Sequence, residues 1–327
     1  MPRLTHAFSA GPRENGISRS WPQSSQRARA EPVAPGWSFE RGFAGNFGWR
    51  LSPDDGRLVF QKAVEGNTDI WVKVLPDGPE SRLTFSETTE RMPRWAPDGQ
   101  TIMFRSDRSE AGAGHLWSKR ADGTGEAEVL FDGFSTEMGF WSPDGEWLVL
   151  RRAGAAGNYG ARDILAMRPG VDSVAVPLIA DENFREQGPA ISPDGRWLAY
   201  TSDETGRDEV FVRPFPDVET GKWKVSTEGG NKPLWAHSGR ELFFVDNAGA
   251  MVAAEFETDS GFQTLGLETL FTLPEGTVWS SNGDFYDITS DDQRFLVGRE
   301  YGRTDGTPTQ LIWFQNFFEE LKARVPN

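Results

Sequence analysis

Six oxygen-bearing side chains recur at nearly the same offset along this sequence, and they are the residues that could do chemistry together. Each lies six or seven residues before the proline, or the residue equivalent to it, of a recurring turn phrase: Asn46, Glu90, Glu137, Glu186, Asn231 and Asp284. Carboxylate and amide oxygens are ligands for hard cations such as Ca²⁺, and carboxylates also bind basic side chains. If the repeats surround an axis, the six side chains ring one mouth of a channel and form a binding site. Otherwise they are solvated turn residues of an acidic protein.

The familiar catalytic patterns are missing. The sequence has no cysteine, and its three histidines, His6, His115 and His237, are scattered. It has no G-x-S-x-G nucleophile elbow, no Walker loop and no H-E-x-x-H pair, which are the signatures of serine hydrolases, P-loop NTPases and zincins. We therefore predict no catalytic residue, and the sequence names no metal ligands beyond the acidic ring.

The turn phrase organises the whole chain. Its copies are Ser52-Pro53-Asp54-Asp55-Gly56, Ala96-Pro97-Asp98-Gly99, Ser142-Pro143-Asp144-Gly145, Ser192-Pro193-Asp194-Gly195 and the eroded Ala236-His237-Ser238-Gly239 and Ser290-Asp291-Asp292-Gln293. With Pro53, Pro97, Pro143, Pro193, His237 and Asp291 taken as equivalent, the steps are 44, 46, 50, 44 and 54 residues. Pro presets φ, Asp bonds the backbone two residues on, and Gly supplies a positive φ, so the phrase is a tight turn. Periods of roughly 40–50 residues with strand-like content are typical of propeller blades.

Each repeat has the pattern of four strands. A short apolar run such as Leu58-Val59-Phe60 follows every phrase, and its continuity indicates a strand buried on both faces. A second apolar stretch follows about ten residues later in most repeats, then a further strand, and the innermost strand precedes the next phrase. We therefore predict an all-β fold, a six-bladed β-propeller of four-stranded antiparallel blades.

The ends of the chain indicate how the ring closes. The sixth repeat has no fourth strand after Phe314, so we predict that residues 36–41 complete its blade. Residues 1–35 are rich in Ser, Pro, Arg and Gly and are predicted to be a disordered tail, with the propeller at 36–327. Residues 316–322 carry a capping-box pattern that predicts a short C-terminal helix.

Charge and hydropathy limit the partners. The net charge of −15 repels phosphate backbones, so nucleic acid is not an expected partner. No apolar stretch approaches the roughly 20 residues of a membrane span, and no signal peptide follows the N-terminal arginines. We expect a monomer, and composition does not indicate a compartment.

Several motifs resemble a known family. The phrase followed by an apolar run resembles the WD-repeat-like propeller repeats of the TolB type. The stretch from Ser202 to Pro216, the segment Trp223-Lys224-Val225 and the tail from Trp313 to Leu321 are similar to the C-terminal propeller of bacterial serine/threonine protein kinases. The resemblance covers residues 36–327 and implies a sensing domain whose parent position is extracytoplasmic. Kinase residues are absent, so no catalytic role carries over.

We therefore predict a non-enzymatic propeller that binds a protein, peptide or small ligand at a channel mouth, with no cofactor other than Ca²⁺ as a candidate for the acidic ring. One alternative is a metal-dependent hydrolase or lyase that uses this ring. Another is the propeller of a peptidase whose catalytic domain is missing. An enzyme would need a carboxylate with a perturbed pKa and a partner within hydrogen-bond reach, whereas a binder needs only a surface.

Overall fold

The computed structural model describes residues 29–33, 38, 48–108, 114–152, 162–258, 261–273, 277, 285–300 and 309–315. These residues form six four-stranded sheets, which confirms the predicted six-bladed propeller. No helix among the described residues is long and apolar enough to cross a membrane. The predicted C-terminal helix at 316–322 lies outside the described residues.

Every blade is an antiparallel sheet whose strands pair in chain order from the innermost strand outward, except that the last blade takes its outermost strand from the N-terminal side. Blade 1 contains β2 (Trp49–Leu51), β3 (Arg57–Val64), β4 (Asn67–Val74) and β5 (Glu80–Arg82); blade 2 contains β6 (Glu90–Trp95), β7 (Thr101–Ser106), β8 (His115–Arg120) and β9 (Glu128–Phe131); blade 3 contains β10 (Thr136–Trp141), β11 (Leu148–Arg152), β12 (Ile164–Met167) and β13 (Val176–Ile179). Blade 4 contains β14 (Glu186–Ile191), β15 (Trp197–Ser202), β16 (Glu209–Pro214) and β17 (Trp223–Lys224); blade 5 contains β18 (Asn231–Trp235), β19 (Glu241–Val245), β20 (Ala250–Glu257) and β21 (Gln263–Thr272); blade 6 contains β22 (Tyr286–Ile288), β23 (Arg294–Glu300), β24 (Thr309–Gln315) and β1 (Arg29–Pro32).

The core lies between neighbouring blades. The apolar run after each phrase forms the second strand, and residues such as Phe60, Phe104 and Tyr200 have no exposed surface. One cluster joins Val59 of blade 1 to Ile102 of blade 2, and comparable clusters fill the other interfaces. Side chains on both faces of a blade are removed from water, which explains why these runs are continuous rather than alternating.

The phrase folds as the turn between the first and second strands. Ser52 Oγ donates to Asp54 Oδ1 at 2.5 Å, and Asp54 Oδ1 accepts the Gly56 N–H at 3.1 Å. These two hydrogen bonds hold the pKa of Asp54 below its ordinary value, with the Ser52 bond the larger cause. Gly145 and Gly195 both have φ of +73°, which confirms the predicted left-handed turn position.

The sixth copy of the phrase starts one residue earlier than the sequence suggested. Thr289 Oγ1 donates to Asp291 at 2.6 Å, as Ser52 does to Asp54, and the left-handed residue is Asp292, with φ of 58°. The equivalence of Asp291 with the phrase proline is therefore wrong, and Ser290 occupies that position. Thr in place of Ser and Asp in place of Gly obscured the register, because Asp also tolerates the left-handed region.

Ring closure between the two ends of the chain is confirmed, but at a different segment. The outermost strand of blade 6 is β1, which pairs with β24 from Arg29↔Gln315 to Pro32↔Ile312. The prediction that residues 36–41 form this strand is wrong: β1 precedes them, and of those residues only Ser38 is described, outside any strand. The closing strand lies within the segment predicted to be a tail, and the predicted domain boundaries otherwise stay a prediction.

Polar contacts reinforce the seam between blades 6 and 1. Arg50 Nη1 donates to the Tyr286 carbonyl at 2.9 Å, and the Leu51 N–H donates to Asp287 Oδ2 at 3.0 Å. The Ser290 N–H and hydroxyl both donate to the Asp55 carboxylate. The first and last blades are thus joined through their inner strands and the turns that follow them.

We expect Gly195→Ala to lower the free energy of unfolding by about 1 kcal/mol or more, because alanine is strained at a φ of +73°. Urea denaturation followed by tryptophan fluorescence measures the change. Gly266→Ala in β21 is the matched control, since its new Cβ would meet no atom within 4 Å and its φ is not left-handed. Equal stability of Gly195→Ala and the wild type would contradict this account of the turn.

Truncation tests the position of the closing strand. Removal of residues 1–28 keeps β1, whereas removal of residues 1–33 leaves β24 as an unpaired edge. We expect the second truncation to lower the melting temperature by several degrees relative to the first, measured by circular dichroism. Identical melting temperatures would show that β1 does not stabilise the ring.

Candidate ligand-binding site

One position of the inner strands faces the channel in all six blades. This is the residue before the strand's last one, and each pairs with the same place on the second strand, as in Arg50↔Val59 and Arg94↔Met103. The six residues, called the axial ring below, are Arg50, Arg94, Phe140, Ala190, Leu234 and Asp287. All of them line one of two adjoining cavities. The axial ring therefore sets the chemistry of the channel.

The two cavities have volumes of about 300 and 380 Å³ and share Arg50, Arg94, Phe140 and His237 in their walls. The first, called the channel cavity below, also contains Lys232 and a set of aromatic side chains. These aromatic side chains are Phe140, Trp141, Trp235, Phe285 and Tyr286. Its described lining contains no Asp or Glu, whereas the second cavity includes Asp55 and Asp287. Basic and aromatic side chains thus line the channel cavity of a chain whose net charge is −15.

Contacts with neighbouring blades position the two arginines. The Arg94 guanidinium lies 4.1 Å from the centroid of the Phe140 ring, which belongs to the next blade. Arg50 Nη1 lies 3.5 Å from Asp287 Oδ1, in addition to its bond to the Tyr286 carbonyl. A guanidinium held over a ring face keeps its charge while its position is restricted.

A repeated bulge shapes the inner strands before they reach the axial ring. Met92, Gly188 and Lys232 have φ of 55°, 58° and 56°, and a proline follows each of them. The preceding blade holds the bulge, because the Met92 N–H donates to Gln61 Oε1 at 3.0 Å and the Lys232 N–H donates to Thr201 Oγ1 at 3.2 Å. Bulges redirect side chains, and strained backbone of this kind persists only where its surroundings fix it.

His237 adds a titratable group to the channel wall. Its Nδ1 lies 2.9 Å from Asp292 Oδ1, and Asp292 also accepts the His237 N–H at 2.7 Å and the Ser238 N–H at 2.9 Å. The hydrogen bond to Asp292 raises the pKa of His237 above its ordinary value, against the effect of burial. Asp292 therefore stabilises the imidazolium form of His237 as an ion pair at the channel wall.

The structure places the predicted acidic ring in two different registers. Glu90 and Glu186 are the first residues of their inner strands and pair with Ser106 and Ser202. In blade 3 that first position belongs to Thr136, so Glu137 lies one residue further on. Asn231 pairs with Val245, so it also lies one residue further along its inner strand than Glu90 and Glu186 do along theirs. Asn46 and Asp284 lie outside the described residues.

None of the four described members of the predicted ring lines either cavity. Glu90 is buried between blades 1 and 2 and is ion-paired with Arg108. Glu137 contacts Arg151 at 2.8 Å and Arg162 at 3.5 Å. Within the described part of the chain, no three His, Asp or Glu side chains are grouped so that they could hold a metal ion. A binding role for the ring stays a prediction, and the contacts of its described members fit a structural role between blades.

Glu186 differs from the other buried carboxylates. Its side chain is buried, its nearest charged neighbours include Asp181 and Asp203, and its Oε2 has no hydrogen-bond partner among the described residues. Burial, followed by repulsion from Asp181 and Asp203, raises its pKa to about 8. Glu209 in the same blade is equally buried, but Arg207 and Lys224 lie 2.8 and 3.6 Å from its Oε1. The hydrogen bond from Ser226 and these two cations lower the pKa of Glu209, although burial acts to raise it.

The axial ring was not identified from the sequence, although a signal existed. The phrase marks the end of every inner strand, and the residue two places before it is Arg50, Arg94, Phe140, Ala190 or Leu234 in the first five repeats. A count back of three from the phrase proline or its equivalent, rather than six or seven, would have found the channel-facing side chains. Pro93, Pro189 and Pro233 mark the bulges in the same way.

We expect Glu186→Gln to be more stable than the wild type at pH 8.5 by about 1 kcal/mol or more, the equivalent of one pKa unit. The pKa of Glu186 is about 8 in the folded state and 4.5 in the unfolded chain, so the folded state binds the extra proton between these two pH values. Wild-type stability therefore falls as the pH rises from about 4.5 to 8, and the variant lacks this fall. Urea denaturation between pH 5 and 9 measures the free energy of unfolding of the wild type and of the variant.

Glu209→Gln is the matched control, and its expected effect on stability has the opposite sign. Its lowered pKa contributes stability above the unfolded value of 4.5, which is lost as the pH falls through the folded value. The variant should therefore be less stable than the wild type at neutral pH. If both variants were destabilised equally at pH 8.5, Glu186 would have a cationic or donor partner.

Comparison with known proteins supports the fold. Residues 41–169 match the family described as the TolB beta propeller domain. Dipeptidyl aminopeptidase BI of Pseudoxanthomonas mexicana is 32% identical over 100 residues, which are 30% of this chain and 13% of that protein. The chain thus matches about an eighth of the length of this curated relative.

Solved propellers match over most of the chain at low identity. TolB from Acinetobacter baumannii is 16% identical, with a TM-score of 0.57 over 81% of this chain and 65% of its own. A puromycin hydrolase is 16% identical, with a TM-score of 0.56 over 86% of this chain and 46% of its own. An oligogalacturonate lyase in complex with manganese is 10% identical, with a TM-score of 0.54 over 88% and 98%. At these identities the likeness shows the fold alone. The chain is a six-bladed β-propeller, and its residues 41–169 are similar to the TolB beta propeller domain.

Proposed function

We propose that this propeller is a non-enzymatic binding protein that holds a protein, peptide or small ligand in the channel cavity. One observation carries the proposal: a cavity of about 300 Å³ lies at the inner strands, and residues from several blades build its wall. Its volume is at the lower end of ligand pockets, and it combines many apolar groups with a few polar ones, as such pockets do.

The lining favours binding over catalysis. Beside His237, the described wall of the channel cavity contains no Ser, Thr, Cys, Asp or Glu, which supply most nucleophiles and acid–base groups. Tyr286 donates its hydroxyl to the Lys232 carbonyl at 2.5 Å, so that proton is already engaged. A rigid wall of proline, aromatic and cationic side chains suits recognition.

Two enzyme-related functions are the alternatives. A metal-dependent hydrolase or lyase would need the acidic ring to assemble with Asn46 and Asp284, which lie outside the described residues. The propeller of a peptidase would need a separate catalytic domain, and similarity to a dipeptidyl aminopeptidase over 100 residues is compatible with that. Assays for cleavage of peptide anilides and for eliminative cleavage of oligogalacturonate, each with and without Mn²⁺, test these alternatives.

We further propose that ligand binding by this propeller serves a sensing role linked to a protein kinase. Its support is the likeness of the β15–β16 hairpin and its flanks, from Ser202 to Pro216, to the propellers of bacterial serine/threonine kinases. The reading frames around the gene provide the test. A frame that encodes a kinase with a membrane span, fused or adjacent, would support the proposal, and its absence in related genomes would count against it.

A cavity-filling substitution tests the binding role. We expect saturable binding of at least one compound from a charge-balanced library of small acids, amides and amines, detected by thermal shift and confirmed by calorimetry. Ala190→Phe adds a ring at the axial ring and should weaken that binding at least tenfold, because it occupies the cavity.

Val176→Phe is the control, since Val176 lies on the outer strand of blade 3 and is 48% exposed. It adds a similar apolar group away from the channel and should leave binding unchanged. If no library member binds, or if Ala190→Phe binds as tightly as the wild type, the channel cavity is not a ligand site.

A further inference from the structure

We propose that the outer edge of blade 5 binds an extended, basic peptide segment by strand addition. The edge is β21 (Gln263–Thr272), which pairs with β20 and with no other strand among the described residues. A partner strand adds to its free side, where backbone hydrogen bonds give affinity and side-chain contacts give selectivity. This surface is separate from the channel cavity, so the inference goes beyond the proposed function and does not depend on it.

The length of β21 distinguishes it from the outer strands of the other blades. It has 10 residues, whereas the others have between two and four. An edge strand presents unpaired N–H and C=O groups, and a longer edge presents more of them. The register of β21 against β20 shifts at two places, but Gly266 to Thr269 pair regularly with Val252 to Glu255. A partner backbone can follow that regular stretch.

The other outer strands carry protection against pairing with another chain. Proline and charged side chains, lysine above all, are the common forms of such protection. Every other outer strand has at least one of them: Arg29, Glu31 and Pro32 in β1, Glu80 and Arg82 in β5, Glu128 in β9, Pro177 in β13 and Lys224 in β17. In contrast, β21 has no proline and no basic residue, and its one charged residue is Glu268. Its edge is therefore open to a partner.

Two exposed leucines give this edge an apolar surface. Leu265 is 51% exposed and Leu267 is 37% exposed. Leu267 pairs with Ala254, which packs between blades 4 and 5, so Leu267 lies on the side of blade 4. The outer strand of blade 4, β17, has only two residues and is too short to cover that side. Apolar side chains of a partner strand would be removed from water against these leucines.

The charge around β21 specifies a basic partner. From Glu241 to Gln293 the sequence has no Lys, Arg or His, and its acidic residues there are Glu241, Asp246, Glu255, Glu257, Asp259, Glu268, Glu275, Asp284, Asp287, Asp291 and Asp292. Burial raises the pKa of Glu268, and no cation among the described residues offsets this effect. Electrostatic complementarity steers a partner of opposite charge to such a surface.

Gly266 opens a path from the edge to a carboxylate of β20. It pairs with Glu255, and side chains at paired positions lie on the same face of a sheet. A Cβ added at Gly266 would meet no atom within 4 Å, so this part of the face is open. A partner strand would lie about 10 Å from β20, two strand spacings away. A Lys or Arg side chain opposite Gly266 and the Glu255 side chain together span that distance.

The same charge argues against a second copy of this chain as the occupant. Two β21 edges paired with each other would bring two acidic segments of blade 5 together, and neither segment contains a basic residue. Like charges placed across an interface cost affinity. A basic strand of another protein meets the edge without this repulsion.

Fluorescence anisotropy with a labelled ten-residue peptide of alternating Lys and Val tests the inference. We expect saturable binding that is at least tenfold tighter than that of a peptide of alternating Glu and Val, because the charge is reversed. Two further Lys–Val peptides carry N-methyl groups on one or the other set of alternate backbone nitrogens. One of the two should bind at least tenfold more weakly than the parent, because its N–H groups can no longer donate to the edge.

Variants locate the interaction. Leu267→Lys places a positive charge on the edge and should weaken binding of the Lys–Val peptide at least tenfold. Val176→Lys is the matched control, since Val176 lies on the outer strand of blade 3, is 48% exposed and undergoes the same change. Glu255→Gln should weaken binding about threefold, with Glu128→Gln in β9 as its control. Melting temperatures verify that each variant is folded.

Four outcomes would overturn the proposal. They are no binding of the Lys–Val peptide, equal binding of the Glu–Val peptide, equal binding of both N-methylated peptides, and equal weakening by Val176→Lys and Leu267→Lys. A dimer in sedimentation velocity that Leu267→Lys dissociates would assign the edge to a second copy instead. Tighter peptide binding after removal of residues 1–28 would assign it to the basic N-terminus of this chain. Ala190→Phe should leave peptide binding unchanged, and loss of binding in that variant would place the peptide in the channel.

Discussion

Each blade of this propeller is stable only between two neighbours, because both faces of its sheet are apolar. A ring satisfies that condition for every blade, and an open row of blades leaves two faces in water. The pairing of β1 with β24 is therefore the constraint on which the rest depends, since it completes the last blade beside the first. The bonds from Arg50 to the Tyr286 carbonyl and from Ser290 to Asp55 hold the same seam near the axis. A closed ring fixes the six inner strands at equal depth, and only then can the axial ring face one channel.

Different residues of the same inner strands pack between blades and line the channel. The first residue of an inner strand, such as Glu90 or Glu186, is buried between blades. The penultimate residue, such as Arg94 or Ala190, faces the channel. Between them lies the bulge at Met92, Gly188 and Lys232, where the left-handed backbone interrupts the regular pairing. The bulge explains why Glu90 and Glu186, seven residues before the phrase proline, are buried between blades, while side chains nearer the phrase line the cavities.

The fold could be predicted because its signal is repeated and local. A turn such as Ser192-Pro193-Asp194-Gly195 has one conformation, and the buried run after it has one environment, so six copies identified blades and their order. Ring closure followed from counting strands, but the closing strand was misplaced, because Arg29–Pro32 pairs through its backbone and has no apolar pattern of its own. The site was harder to find. Its residues differ from blade to blade, as Arg94, Phe140 and Ala190 do. The repeat therefore indicates their position, but it does not indicate that they form a candidate site. The acidic ring was chosen instead because its members are chemically alike.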